Sequence, residues 1–188
     1  MEHARTSIPG LLTFTPTPIR DERGFFCRTY DVDVARAAGL DPESFVQDSL
    51  SRSSYGVLRG LHLRVGAGEG KLVRCSNGRV FDVVVDLRPE SPTYRTWLSF
   101  ELDGERQNSI YIPPGCAHGH QTLTPVADTS YRIDRQHDPA EDLTIAWNDP
   151  GLAIPWPLPP TIMSAKDASA APLSELTEEL SRVEAPVG

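Results

Sequence analysis

Short apolar runs recur along the chain, punctuated by 17 prolines and 14 glycines. Runs of this length between turn residues predict an all-β sandwich or barrel rather than alternating strands and helices. The expected strands are Leu11–Phe14, Gly24–Thr29, Phe45–Ser51, Val57–Leu63, Lys71–Ser76, Arg79–Leu87, Arg95–Leu102, Ser109–Ile112, His118–Leu123, Thr129–Arg135 and Thr144–Trp147. Asn77-Gly78 stands between two of these runs and predicts a two-residue hairpin, because a type I′ turn needs positive φ at both central positions. Two helices are expected. One covers Asp31 to Ala38, with an aspartate cap and Gly39 as its stop. The other lies at about 172–184, where Leu173, Leu176, Leu180 and Val183 share a face, with Ser174 near its start. Its expected role is packing against the sandwich. Ile154–Pro160, dense in proline and carrying Trp156, reads as an irregular connection over that sandwich.

The length of 188 residues predicts one domain over 1–188 with a sizeable core. No apolar run approaches the ~18 residues that span a bilayer, so no membrane role is expected. The opening Met-Glu-His-Ala-Arg has neither a basic nor an apolar signal region, and the expectation is a cytoplasmic protein. Cys27, Cys75 and Cys116 are odd in number and show no C-x-x-C, which offers neither a disulfide framework nor a zinc ribbon. The net charge of −8 disfavours nucleic acid as a partner. A small anionic ligand stays open, since a few converging arginines outweigh the global sign at short range. Lys71 and Lys166 are the only lysines beside many arginines, a pattern that coding bias explains and that makes each retained lysine worth attention.

Candidate chemistry gathers in four stretches. Gly56–His62 sets Arg59 and His62 three apart in a strand, on opposite faces unless Gly60 introduces a bulge. Ile110–Leu123 carries His118 and His120, two apart and so on one face. With His62 these would suit zinc or iron, whose sites favour imidazole. The pattern Pro113-Pro114-Gly115-Cys116-Ala117-His118 also resembles the second half-motif of cupins, jelly-roll barrels whose metal members hold iron, manganese or zinc. Metal cupins take further ligands from H-x-H, whereas here Leu63 and Arg64 follow His62. Tyr131 on a late strand and Ser164-Ala165-Lys166-Asp167 complete the set.

Together these stretches resemble the dTDP-4-dehydrorhamnose 3,5-epimerases, a cupin branch of deoxysugar biosynthesis. The resemblance runs through Asp21-Glu22-Arg23-Gly24-Phe25-Phe26, Phe45-Val46-Gln47-Asp48, Gly56–His62, Gly70-Lys71-Leu72-Val73, Phe81-Asp82-Val83, Val85-Asp86-Leu87-Arg88, Ser91-Pro92-Thr93, Pro114-Gly115, Ala117-His118-Gly119, Trp147-Asn148-Asp149-Pro150, Trp156-Pro157 and Ser164–Asp167. It implies a jelly roll with few short helices, no metal and no cofactor, and an isomerase that inverts centres beside the C4 ketone of a nucleotide-linked 4-keto-6-deoxyhexose. It implies His62 as base, Asp167 as the partner orienting its ring, Tyr131 as acid and Lys71 beside the C4 oxygen. An imidazole of reference pKa ~6.5 and a phenol of ~10 suit the base and acid roles, and a fixed cation suits the developing enolate. Arg59 and the Arg23 of a partner subunit would hold the diphosphate, Phe25 and Gln47 the base or ribose, and His118 would line the sugar site. Ser49 and Lys166 fall in the same motifs and are expected to bind substrate. The family pairs through exchanged N-terminal strands, which implies a homodimer.

Departures bear on the substrate. Arg28 stands where the family usually has a glutamate able to accept from thymine N3-H; arginine cannot accept, and a cytosine-linked sugar is one expectation. Ser49 replaces an asparagine, and Leu63 and Arg64 an aromatic and a glutamine. Gln136 and His137 replace two tyrosines, so inversion at only C3 or only C5 stands as the alternative to double epimerisation. A metal cupin using His62, His118 and His120, or a silent sugar-nucleotide binder, are alternatives of other classes.

Overall fold

The computed structural model describes residues 1–184. Its strands are β1 (Glu2–Arg5), β2 (Leu12–Thr15), β3 (Ile19–Asp21), β4 (Gly24–Phe26), β5 (Gln47–Ser54), β6 (Leu58–Arg64), β7 (Lys71–Asn77), β8 (Arg79–Asp86), β9 (Trp97–Asp103), β10 (Ser109–Ile112), β11 (Cys116–Thr122), β12 (Val126–Ile133) and β13 (Asp142–Thr144). Three short helices accompany them: α1 (Val32–Ala37), α2 (Ala165–Ala168) and α3 (Thr177–Leu180). One antiparallel sheet is ordered β1-β2-β10-β7-β12-β5 and the other β13-β6-β11-β8-β9, while β3 and β4 form a separate hairpin. The fold is all-β, the cupin jelly roll, in which strands are shared between two facing sheets. None of the helices among the described residues is long and apolar enough to cross a membrane.

Strand alternation explains both cores. β8 sends Val80 and Val84 inward to meet Val73 and Cys75 of β7 and Ile110 and Ile112 of β10. Its other face, Val83 and Val85, packs with Leu61, Leu63 and Ala117 under Leu173, Leu176, Leu180 and Val183 of the C-terminal segment. A strand buried on both faces reads as the near-continuous apolar run at 79–87. Each fully buried aliphatic side chain contributes about 1.5–3 kcal/mol, so the C-terminal segment is part of the fold's stability.

Three expectations change. Asn77-Gly78 is not a hairpin: β7 pairs with β10 and β12, β8 with β9 and β11, so the dipeptide is a corner between sheets. Gly78 alone takes positive φ (75°), and a Cβ there would strike the Val126 carbonyl and the Thr124 hydroxyl. The C-terminal helix is a 3-10 turn at Leu173–Glu175 followed by one turn of α3, broken at Leu176 (φ −106°, ψ 28°). Strands β1 and β3 escape the sequence pattern because every residue in both is exposed. The expected strand at Thr144–Trp147 is found earlier, at Asp142–Thr144. Helix α1 forms as read, with Asp31 accepting from the Asp33 and Val34 amides and Gly39 at φ 87° behind it.

Candidate active site

The register of β6 against β11 gathers the polar residues. His118 faces His62 and His120 faces Arg59, so three steps on β6 oppose two on β11. This bulge brings Arg59 and His62 to the face that His118 and His120 share. Gly60 makes it possible: φ is 110°, and a Cβ would meet the backbone of His118 and Gly119. An alanine there would be strained twice over.

His62 Nε2 lies 2.6 Å from Asp167 Oδ1. The carboxylate is held on α2, whose cap is Ser164; the Asp167 amide donates to the Ser164 hydroxyl at 3.0 Å. Asp167 thus lies within this helix, three residues after its cap. Burial pushes the Asp167 carboxyl upward, but the His62 hydrogen bond and charge, the Ser164 hydroxyl and the Gly60 amide together hold it below the ordinary carboxylate range. An anionic Asp167 accepts from Nε2–H and leaves Nδ1 with its lone pair available.

Tyr131 stands on β12 of the opposite sheet, paired with Ser49 on β5 and Val73 on β7. Burial pushes its hydroxyl up to about 12, and the Ser51 hydroxyl lies 3.3 Å away. Its ring sits edge-on to His118, centroids 6.2 Å apart. Lys71 opens β7, its Nζ 2.6 Å from Glu69 Oε1. Arg59 Nε donates to the Ser53 hydroxyl at 2.9 Å, on the row Gln47, Ser49, Ser51 and Ser53 that alternation places on one face of β5.

Other expected site residues lie apart from this group. Arg28 pairs with Asp31 at 3.0 Å on the surface, where it tightens the cap of α1. Arg23 is exposed and paired with Asp21, and Phe25 lies under Arg20 beside the Asn77-Gly78 corner, at the far end of β7 from Lys71. Lys166 is at the rim, 3.8 Å from Asp142. Neither Gln136 nor His137 supplies a phenol; the Gln136 carbonyl accepts from Arg64, and His137 pairs with Asp142.

Asp82 joins the site although its chemistry was not singled out in the sequence. It is fully buried and its Oδ2 is 2.8 Å from His118 Nε2. Its place in the inward row Val80, Asp82, Val84 was the available signal. Burial raises the Asp82 carboxyl well above its ordinary range and lowers the His118 imidazole well below its own, each shift disfavouring the charged form. Burial also brings His120 down to about 3. The ligand atoms of His62, His118 and His120 are not all within 4.8 Å of one another. Among the described residues, the group whose ligand atoms fall within 4.8 Å of one another is Asp82, His118 and His120.

A family model described as dTDP-4-dehydrorhamnose 3,5-epimerase matches residues 5–175. The dTDP-4-dehydrorhamnose 3,5-epimerase of Pseudomonas aeruginosa is 43% identical over 168 residues, covering 89% of this chain and 93% of that protein. The solved dTDP-6-deoxy-D-glucose-3,5-epimerase of Legionella pneumophila, in complex with dTDP-4-keto-L-rhamnose, superposes with a TM-score of 0.89 at 40% identity, covering 95% of this chain and 96% of that one. The 4-keto-6-deoxy sugar epimerase of the novobiocin biosynthetic gene cluster of Streptomyces spheroides has a TM-score of 0.89 at 38% identity, covering 95% and 90%. With the family's fold present and its motifs spread over nearly the whole chain, this protein belongs to the dTDP-4-dehydrorhamnose 3,5-epimerase family and is a carbohydrate epimerase.

Proposed function

We propose that the enzyme inverts C3 and C5 of a dTDP-linked 4-keto-6-deoxyhexose, converting dTDP-4-dehydro-6-deoxyglucose to dTDP-4-dehydrorhamnose. The observation that carries this reading is the opposition of His62, backed by Asp167, on one sheet and Tyr131 on the other. The hydrogens on C3 and C5 are acidic because each carbon is α to the ketone. His62 Nδ1 takes the proton, and the C–H electron pair moves through the ring to the C4 oxygen. Lys71 stabilises that enolate oxygen, an interaction that strengthens as charge develops. Tyr131 then gives its O–H proton to the opposite face of the carbon, which inverts it, and solvent restores both groups. A base and an acid on facing sheets suit this chemistry; a base alone would return the proton to the face it came from.

Substrate binding follows from the same wall. Arg59 suits the diphosphate, for which arginine makes charge-assisted pairs, and Gln47, Ser49 and His118 suit the nucleoside and sugar. Arg23 and Phe25 lie away from their own cavity on a hairpin whose Ile19 and Phe26 are 68% and 69% exposed. Such apolar exposure on a projecting hairpin suits docking against a second copy. We therefore include in the proposal a homodimer in which the hairpin of each chain completes the site of the other. Arg28 pairs with Asp31 at the surface of its own chain, and the dTDP-linked sugar held by the Legionella relative supports a thymidine nucleotide over a cytidine one.

Inversion at a single centre is the second reading, favoured by the placement of Gln136 and His137, neither of which offers a proton-donating phenol. The test of the enzyme reading is His62→Asn. The variant is expected to bind dTDP as the wild type does and to lose turnover of dTDP-4-keto-6-deoxyglucose; retained turnover would overturn the assignment.

A further inference from the structure

Lys71 is not a solitary cation. Glu69 Oε1 lies 2.6 Å from its Nζ, and Glu69 Oε2 lies 2.8 Å from Arg64 Nη1. Arg64 is buried and the other two side chains are largely so, with exposures of 15% for Lys71, 8% for Glu69 and 4% for Arg64. Arg64 follows His62 by two residues on β6, so it shares the inward face of the base. Both ends of the arrangement are fixed: Arg64 Nη1 donates to the Gln136 carbonyl at 2.9 Å, and the Gly70 amide between Glu69 and Lys71 donates to Asp134 Oδ1 at 2.7 Å.

We propose that Glu69 and Arg64 are positioning residues for Lys71, Glu69 holding the ammonium at the C4 oxygen and Arg64 offsetting the Glu69 charge so that the trio stays net positive. The inference rests on the reading that Lys71 stabilises the enolate. A carboxylate beside the lysine, taken alone, would cancel the charge that the enolate needs, and in a buried site that cancellation is poorly screened. Arg64 is the second cation on the Glu69 carboxylate. Asp142 Oδ1 also lies 3.9 Å from Arg64 Nε, but that carboxylate is shared with His137 at 3.1 Å and Lys166 at 3.8 Å and is farther from Arg64 than Glu69 is. Lysine carries three N–H donors, so Nζ can keep Glu69 and still donate to the substrate oxygen.

The test is a charge cycle in the full-length enzyme, reading kcat, KM and dTDP affinity for Arg64→Gln, Glu69→Gln, the double variant, Arg64→Lys and Lys71→Gln. Arg64→Gln is expected to lower kcat by about 10- to 100-fold, the scale of a lost oxyanion contact, with dTDP affinity unchanged. The double variant, in which an uncharged side chain faces Lys71, is expected to recover at least about 5-fold over Arg64→Gln, since residues in one ion-pair network couple. Arg64→Lys retains the charge and is expected to stay close to wild type in kcat. A merely structural pair would show its coupling in denaturant unfolding alone, with kcat and KM of the folded single and double variants at wild-type values. A double variant no more active than Arg64→Gln, or an Arg64→Gln enzyme with wild-type kcat, would overturn the inference. Should circular dichroism show Arg64→Gln unfolded, Glu69→Gln, which leaves two cations side by side, is compared with the double variant, and recovery in the double decides the same way. Wild-type enzyme without turnover, or full turnover by Lys71→Gln, would instead remove the functional reading beneath it.

Discussion

Asp167 holds the His62 ring at 2.6 Å across a sequence separation of 105 residues. One partner comes from a strand of the sandwich and the other from a single helical turn laid over its mouth. The contact fixes which nitrogen of His62 faces the substrate. Asp167→Asn preserves the shape but replaces an anion with an amide, so an imidazolium formed during proton transfer loses its stabilising charge. The expected result is a fall in kcat of roughly 10²–10⁴-fold with little change in dTDP affinity, measured by steady-state kinetics and calorimetry.

Tyr131 separates exchange from inversion. With its hydroxyl pushed up to about 12, it keeps its proton through the neutral and mildly alkaline range and releases it only to a base as strong as the enolate. Tyr131→Phe removes the acid but leaves His62 able to take a proton and return one to the same face. In deuterium oxide the variant is expected to incorporate deuterium with retained configuration, followed by proton NMR, while inverted product falls at least about 100-fold, the lower scale of general acid catalysis. Equal losses of exchange and inversion would contradict this division of roles.

Stability has a separate anchor at Asp86. This fully buried carboxylate receives Arg88 through two hydrogen bonds of 2.8 Å, and the Ser91 and Thr93 hydroxyls as well. Burial raises the Asp86 carboxyl, but these donors outweigh it and hold the group below its ordinary range. Asp86→Ala strands the Arg88 guanidinium and is expected to cost about 3–5 kcal/mol in denaturant unfolding near pH 7. A carboxyl lowered on folding stabilises the fold above its unfolded value of ~3.9. That contribution is lost as pH falls through the lower folded value, so the difference between wild type and variant should shrink only in strongly acidic solution.

Metal chemistry at Asp82, His118 and His120 has a direct check. Asp82 Oδ2 and His118 Nε2 are already bonded to each other at 2.8 Å, and enolate stabilisation is assigned to Lys71. Dialysis against EDTA is expected to leave turnover unchanged. Loss of activity restored by zinc, iron or manganese would move the cluster from the cavity wall to the chemistry.

How far the sequence could be read depended on whether a feature is local. The strands at Arg79–Leu87 and Ser109–Ile112 were legible because short runs that are buried on both faces stand out as apolar segments between turn residues. The apolar face Leu173, Leu176, Leu180, Val183 was legible too, but its helix was not: anchoring those side chains on β8 and β6 needs the spacing and not a continuous helix. Asn77-Gly78 misled because turn propensity describes neighbours in sequence, whereas here the next strand joins the other sheet. His62, Lys71, Tyr131 and Asp167 came from motif resemblance; folding is what sets Asp167 on His62 and the Tyr131 ring against His118, contacts between residues far apart in sequence. Glu69 lay outside every pattern, in a glycine-rich loop whose partners are visible only in three dimensions, and Arg64 was noted only as a departure from the family. Arg23 and Phe25 belong to a projecting hairpin, so no single chain brings them to its own His62.

The central claim is enolisation on both sides of the C4 ketone, and the most direct measurement follows C3-H and C5-H of dTDP-4-keto-6-deoxyglucose by proton NMR in deuterium oxide with wild-type enzyme, beside His62→Asn and a blank without enzyme. The account predicts loss of both signals with inversion at both carbons, in the wild type alone; loss at one carbon would identify a single-centre epimerase, and no loss at either would contradict the account.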